Sequence, residues 1–202
     1  MSLLRKVGES DSMKPVLLRT FIAIPLPEAV QDKVDALLSD LRKADAAVRW
    51  VPARNLHLTL KFLGDVAEAR LEELYVGIRM ATEGIEPFRI TLTGLGAFPN
   101  ARRPRVLWIG MDVPEAMQRL YENIEKDLSR LHFPKEKRRF SPHLTIGRVK
   151  GLRGMERLMS VVERTEFGPE TVSVERIVAM KSDLRPTGAV YAPLKKFALG
   201  VL

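Results

Sequence analysis

The side chains of this 202-residue chain best suited to moving protons are two histidines in matching surroundings. His57 and Thr59 lie in Asn55-Leu56-His57-Leu58-Thr59-Leu60-Lys61-Phe62, and His143 and Thr145 in Pro142-His143-Leu144-Thr145-Ile146-Gly147-Arg148. Side chains alternate between the two faces of a strand, so each histidine stands beside its threonine on one face. Leu56, Leu58, Leu60 and Phe62 are expected together on the other, buried face. Imidazole is the side chain that changes charge near neutral pH, and a neighbouring hydroxyl is a hydrogen-bond donor. Two such pairs turned towards one ligand can divide the labour: a neutral imidazole takes a proton from a nucleophile, and a protonated one gives a proton to a leaving group. The threonine hydroxyls would hold oxygens on which charge develops. Cleavage of a phosphoester needs this set, because water is a poor nucleophile and an alkoxide a poor leaving group. On a regular strand Arg148 points to the face opposite His143 and Thr145. It joins them only if Gly147 bends or bulges the strand.

Other chemistries find less support. With no cysteine there is no disulfide, zinc-thiolate site or thiol nucleophile. A zinc site wants three or four ligands. No Asp or Glu lies within four positions of His143, and Asp65 is the first carboxylate after His57. The third histidine, His132, stands alone after a helical pattern and is expected to be exposed and structural. Neither a Gly-x-Ser-x-Gly elbow nor a glycine-rich phosphate loop is present. The expectation is therefore no metal and no cofactor.

The elements that must carry these residues follow from periodicity. Residues 19–26 form an apolar run and read as a buried strand. Pro27 then suits a first helical position, and Val30, Val34, Leu37, Leu38 and Leu41 repeat at helical spacing. Residues 48–51 read as a short edge strand, and the His57 strand closes at Gly64-Asp65. Leu71, Leu74, Tyr75 and Ile78 mark a second helix, and residues 88–95 a further strand. After a basic turn at 100–105 come a strand at 106–111 and a helix from Pro114 through Met117, Leu120, Ile124, Leu128 and Leu131. A charged loop at 133–139 leads into the His143 strand. A fourth helix at 155–164 and two strands, near 172–182 and 190–199, end the chain. Residues 1–18 read as a flexible tail, with Met13 a plausible natural start.

The order repeats. Pro27-Glu28-Ala29-Val30-Gln31 is matched by Pro114-Glu115-Ala116-Met117-Gln118, and His57 by His143. Each half runs strand, helix, His-x-Thr strand, helix, strand. The fold class expected is α+β. Residues 19–202 form one bilobal domain, with pseudo-repeats at about 19–97 and 105–199. Two largely antiparallel sheets face a central cleft, with helices outside.

Charge bounds the partners. Lys plus Arg is 33 against 25 for Asp plus Glu, a net of +8, which favours polyanions. Lys137, Arg138 and Arg139, in the loop before His143, are candidate nucleic-acid contacts. No apolar run approaches the roughly 18–20 residues of a membrane span, and residues 1–13 lack the apolar core of a secretory leader. A cytoplasmic monomer with no membrane partner is expected.

The paired His-x-Thr motifs, half a chain apart, resemble those of the 2H phosphoesterases. The match is closer to the bacterial and archaeal RNA 2′,3′-cyclic phosphodiesterases, also called 2′-5′ RNA ligases. Phe21-Ile22-Ala23-Ile24, Phe62-Leu63-Gly64, Val106-Leu107-Trp108, Lys181-Ser182-Asp183-Leu184 and Gly188-Ala189-Val190-Tyr191 carry the likeness beyond the motifs. Gly188-Ala189 departs from the Gly-Pro of many members. The resemblance implies metal-independent opening of an RNA 2′,3′-cyclic phosphate end to a 2′-phosphomonoester, with reversible 2′-5′ ligation as a minor activity. It implies that His57 is the general acid and His143 the general base, that Thr59 and Thr145 hold the phosphate, and that Arg148 adds positive charge. Two alternatives stay open. One is an RNA-binding protein that no longer turns over, the other a relative that opens ADP-ribose-type cyclic phosphates.

Overall fold

The computed structural model describes residues 15–186 and 188–200. Among them nine strands and four α-helices follow one another as β1 (Leu17–Pro25), α1 (Glu28–Arg42), β2 (Val48–Trp50), β3 (His57–Ala67), α2 (Leu71–Thr82), β4 (Phe88–Phe98), β5 (Val106–Met111), α3 (Glu115–Arg130), β6 (Leu144–Val149), α4 (Met155–Arg164), β7 (Glu170–Val174), β8 (Arg176–Arg185) and β9 (Gly188–Ala198). The class is α+β, as the order of patterns predicts. Most of the expected tail at 1–18 lies outside the described residues, but Leu17 and Leu18 already belong to β1. The single strand expected at 172–182 is two strands, β7 and β8, that break at Glu175 and lie in different sheets.

The helices take up the faces that their periodicity dictates. α1 buries Val30, Val34, Leu37, Leu38 and Leu41, an apolar stripe at i, i+3/i+4 spacing. Pro27 caps this helix from an extended conformation rather than occupying its first turn. Its carbonyl accepts from the Val30 and Gln31 N–H groups at 3.0 and 3.1 Å. Pro114 does the same for α3, taking Met117 and Gln118 at 3.0 and 3.1 Å. The cap position suits proline because that residue needs no N–H of its own. α2 and α3 pack together where Gly77 leaves room. A Cβ there would lie 2.6 Å from Leu131 Cδ1 and 2.8 Å from Leu128 Cδ2.

All strand pairs are antiparallel. One sheet has the order β3-β1-β8-β9 and the other β2-β6-β5-β4-β7. With β2 set aside as an extra edge, the two orders correspond strand for strand. The correspondence does not follow the halves of the sequence, because β4 joins the second sheet and β8 and β9 join the first. A single core runs through both sheets and includes Ile22, Leu58, Ile78, Leu107, Leu128 and Leu158. No α-helical residue lines the cleft described below.

Candidate active site

Each motif strand carries a bulge at the same place. Between β1 and β3, Ala23 faces Thr59 and Ile22 faces Lys61, so Leu60 has no partner. Between β5 and β6, Trp108 faces Thr145 and Leu107 faces Gly147, so Ile146 has none. An extra residue on one strand reverses the alternation beyond it. The reversal corrects the expected face of Phe62. Instead of joining Leu58 and Leu60 it turns outward, 64% exposed, on the side of His57 and Thr59. Lys61 takes the inward place. In the second strand the same reversal turns Arg148 to the side of His143 and Thr145, satisfying the condition set by Gly147. Glycine is needed there, since a Cβ would lie 2.8 Å from Val48 Cγ1 and 3.0 Å from Trp50 Cε3. The Ile146 carbonyl is satisfied by the N–H of Val51 at 2.9 Å.

The exchange of Lys61 and Phe62 has a cost on both sides. Leaving a phenylalanine in water forfeits about 1.5–3 kcal/mol of burial. Burying an ammonium requires compensation. Lys61, with its side chain only 2% exposed, donates to Glu125 Oε1 at 2.6 Å and to the Pro134 carbonyl at 2.8 Å. Glu125 Oε2 in turn accepts the Glu136 N–H at 2.9 Å. This buried pair ties β3 and α3 to the loop that leads to His143. Phe140, further along that loop, stacks on Tyr121 with ring centroids 3.9 Å apart.

The histidines are held in the same way. His57 Nδ1 lies 2.9 Å from the Asn55 carbonyl, and His143 Nδ1 lies 2.9 Å from the Ser141 carbonyl. A carbonyl only accepts, so Nδ1 carries the proton in each ring and Nε2 is the free, reactive nitrogen. An aromatic edge meets each imidazole: Tyr191 at 4.8 Å and 85° on His57, and Phe98 at 4.9 Å and 83° on His143. His57 also packs on Phe21 at 4.7 Å. Burial pushes the His57 pKa below the ordinary histidine value, and the bond to the Asn55 carbonyl offsets part of that. Asn55 Nδ2 donates to the Ala189 carbonyl at 3.2 Å, fixing the approach to His57 against β9.

The sheets carry one motif each, and β3 and β6 come into contact where they approach. Residues of both sheets line a cleft of about 670 Å³, among them Arg19, Arg49, Arg54, Phe62, Arg148 and Tyr191. A smaller pocket of about 130 Å³ is lined by His57 and shares Arg54, Asn55 and Tyr191 with the cleft. Thr59, His143 and Thr145 line neither volume. Among the described residues no ion pair involves Arg19, Arg49, Arg54 or Arg148. Nor do any three potential metal ligands cluster among them. Lys137, Arg138 and Arg139 are exposed on the loop ahead of His143 and are not among the cleft-lining side chains. The Arg138 and Lys137 N–H groups hold the neighbouring Glu136 carboxyl below the usual carboxylate range. His132 is exposed, in a left-handed conformation after α3.

Sequence reasoning missed Arg19, Arg49, Arg54 and Tyr191 as cleft residues. One signal was available for the arginines near His57. No acidic residue lies between Asp45 and Asp65, and none between Glu136 and Glu156, so both motifs sit in stretches carrying only positive charge.

Comparison with known proteins agrees with this duplicated arrangement. The family model for LigT like phosphoesterases matches the chain twice, at residues 24–108 and 109–191. The RNA 2′,3′-cyclic phosphodiesterase of Methanothermobacter thermautotrophicus is 37% identical over 185 residues, covering 90% of this chain and 99% of the relative. That of Thermotoga maritima is 36% identical over 177 residues, covering 88% and 93%. Among solved structures, TT0787 of Thermus thermophilus superposes with a TM-score of 0.74 at 30% identity, covering 90% of this chain and 98% of that one. E. coli LigT in complex with 3′-AMP gives 0.72 at 26% identity, covering 92% and 100%.

Proposed function

This chain belongs to the LigT like phosphoesterase family, and from that premise we propose that it is an RNA 2′,3′-cyclic phosphodiesterase. It opens the cyclic end of an RNA to a 2′-phosphomonoester. The observation that carries the reading is the repeated histidine geometry: two imidazoles, one at the start of β3 and one immediately before β6, each pinned at Nδ1 by a carbonyl two residues earlier. Relatives aligned over nearly their whole length bear the same activity in their names.

His143 takes a proton from water through Nε2 as the oxygen attacks phosphorus. His57, protonated, gives its Nε2 proton to the departing 3′-oxygen. The P–O3′ bond breaks, and the products are a 2′-phosphate and a free 3′-hydroxyl. With a 5′-hydroxyl in place of water, the same step makes a 2′-5′ linkage, and its reverse undoes it. Thr59 and Thr145 donate to the non-bridging oxygens, and Arg148 adds positive charge. Burial favours neutral His57, so its role as acid depends on the bound anion. A phosphodiester beside the ring raises the imidazole pKa again. The side chains supply proton transfer and charge stabilisation without a metal ion. Lys137, Arg138 and Arg139 draw in longer RNA through charge, outside the cleft.

Turnover of an RNA ending in a 2′,3′-cyclic phosphate, with the product followed by phosphorus NMR, tests this reading. Formation of a 2′-phosphate in the presence of EDTA is expected. His57→Ala and His143→Ala should each lower kcat by about two to four decades. A 3′-phosphate product, loss of activity on chelation, or near-normal turnover by either variant would reject it.

A further inference from the structure

Each imidazole is only as fixed as the carbonyl that holds its Nδ1, and the two carbonyls are secured in different ways. Asn55 closes a 3-10 turn, Ala53–Asn55. Its N–H donates to the Pro52 carbonyl at 2.8 Å and its side chain to the Ala189 carbonyl at 3.2 Å. Ser141 lies between α3 and β6 in a stretch without helix or strand. Among the described residues no backbone–backbone hydrogen bond involves residues 139–142. Pro142 biases Ser141 towards extended backbone and fixes its own φ, so residues 141–143 turn as a stiff unit. The orientation of that unit is set one residue earlier, by Phe140. Its ring lies against Tyr121 of α3, with centroids 3.9 Å apart and planes 11° from parallel. Tyr121 stands one turn before Glu125 on the same helical face. The helix therefore offers two anchors in succession: Glu125 takes the Glu136 N–H, and Tyr121 takes Phe140 four residues further along the loop.

We propose that Tyr121 is a positioning residue for His143: stacked on Phe140, it fixes the Ser141 carbonyl that keeps the ring proton on Nδ1 and leaves Nε2 free to accept one. Without the stack the carbonyl shifts, and nothing then holds the proton on Nδ1. A neutral imidazole protonated at Nε2 has no lone pair there to act as base. His57 draws the same support from the side chain of Asn55, so each half of the duplicated fold secures its histidine through a different element. The effect of Tyr121 is on the geometry of the base and not on substrate affinity, because its ring does not line the cleft. The inference rests on the cyclic phosphodiesterase reading above for the role of His143 as base.

The test compares the wild-type protein with Tyr121→Leu, Phe140→Leu and Tyr121→Phe. Nitrogen-15 NMR of the imidazoles reads which ring nitrogen carries the proton, and His57 serves as the internal reference. Neutral His143 is expected to be protonated at Nδ1 in the wild type and to become a mixture of both tautomers in the two leucine variants, with His57 unchanged. Turnover of an RNA ending in a 2′,3′-cyclic phosphate should fall about tenfold or more in kcat in those variants, the scale of a slightly misplaced reacting group, while KM changes little. Tyr121→Phe keeps the ring and should match the wild type in both measurements. Both rings are only partly buried, and circular dichroism checks that the variants are folded. An unmoved His143 tautomer in both leucine variants would overturn the proposal. So would equal changes at His57 and His143, which mean general loosening, or a Tyr121→Phe variant as impaired as Tyr121→Leu. The spectra need no turnover: if the wild-type protein leaves the cyclic phosphate intact, the phosphodiesterase reading fails, and the tautomer of His143 alone decides on Tyr121.

Discussion

Replacing Lys61 by methionine tests whether the bulge in β3 is held by the buried ion pair beneath it. The methionine side chain has similar length and fills similar volume, but it cannot donate to Glu125 or to the Pro134 carbonyl. Glu125 is itself nearly buried, with 11% of its side chain exposed, and would be left with one backbone N–H as partner. Removing one member of a buried pair strands the other charge, at a cost of about 3–5 kcal/mol. For a domain of this size that lowers Tm by roughly 6–20 °C, at about 2–4 °C per kcal/mol. Urea denaturation read by circular dichroism gives the free energy, and hydrogen exchange should show lost protection at Glu136, whose N–H rests on Glu125. Lys61→Met combined with Glu125→Met removes the stranded charge. That double variant should recover well over half of the loss, a coupling above about 1.5 kcal/mol. A single variant within about 0.5 kcal/mol of wild type, the scatter of neutral surface changes, would refute the argument. So would a double variant as unstable as the sum of two singles.

Two further outcomes follow from the site. Thr59→Val and Thr145→Val keep the β-branched shape and remove only a hydroxyl, so stability should hold while each lowers kcat by about 10- to 150-fold, the worth of one charge-assisted hydrogen bond of about 1.5–3 kcal/mol; normal turnover by both would make the threonines strand filler. Because burial lowers the His57 pKa, its imidazole should titrate by NMR below the ordinary histidine midpoint in the free protein and at higher pH once inorganic phosphate is bound. Protonation of His57 then favours the anion, so phosphate affinity should rise as pH falls through that range. The same folded-state depression costs stability as pH falls from the unfolded histidine value through the lowered one. A midpoint unmoved by saturating phosphate would place the anion away from His57.

How far these features can be read without coordinates depends on the range of the interactions behind them. The five buried residues of α1 and the side-by-side placement of His57 with Thr59 and His143 with Thr145 are local. They depend on backbone periods of 3.6 and 2 acting within one element, and side-chain types alone display them. The duplication is equally open to inspection, since Pro27 and Pro114 start equivalent helices and the motifs recur. Phe62 marks the point where local periodicity stops being sufficient. Its face depends on Leu60 being unmatched against β1, a register set by a strand some forty residues earlier in the chain. The same holds for Arg148, whose turn into the cleft depends on the pairing of Ile146 and Gly147 with β5. Strand exchange is also beyond local reading, because β4 and β8 present apolar faces that would suit either sheet. Arg49 and Tyr191 reach the cleft only through that exchange, which brings β2 beside β6 and β9 to the edge of the first sheet. The chemistry was therefore legible from residue types at short spacing. The walls that surround it were decided by hydrogen-bonded ladders between segments far apart in the chain, whose register no single segment encodes.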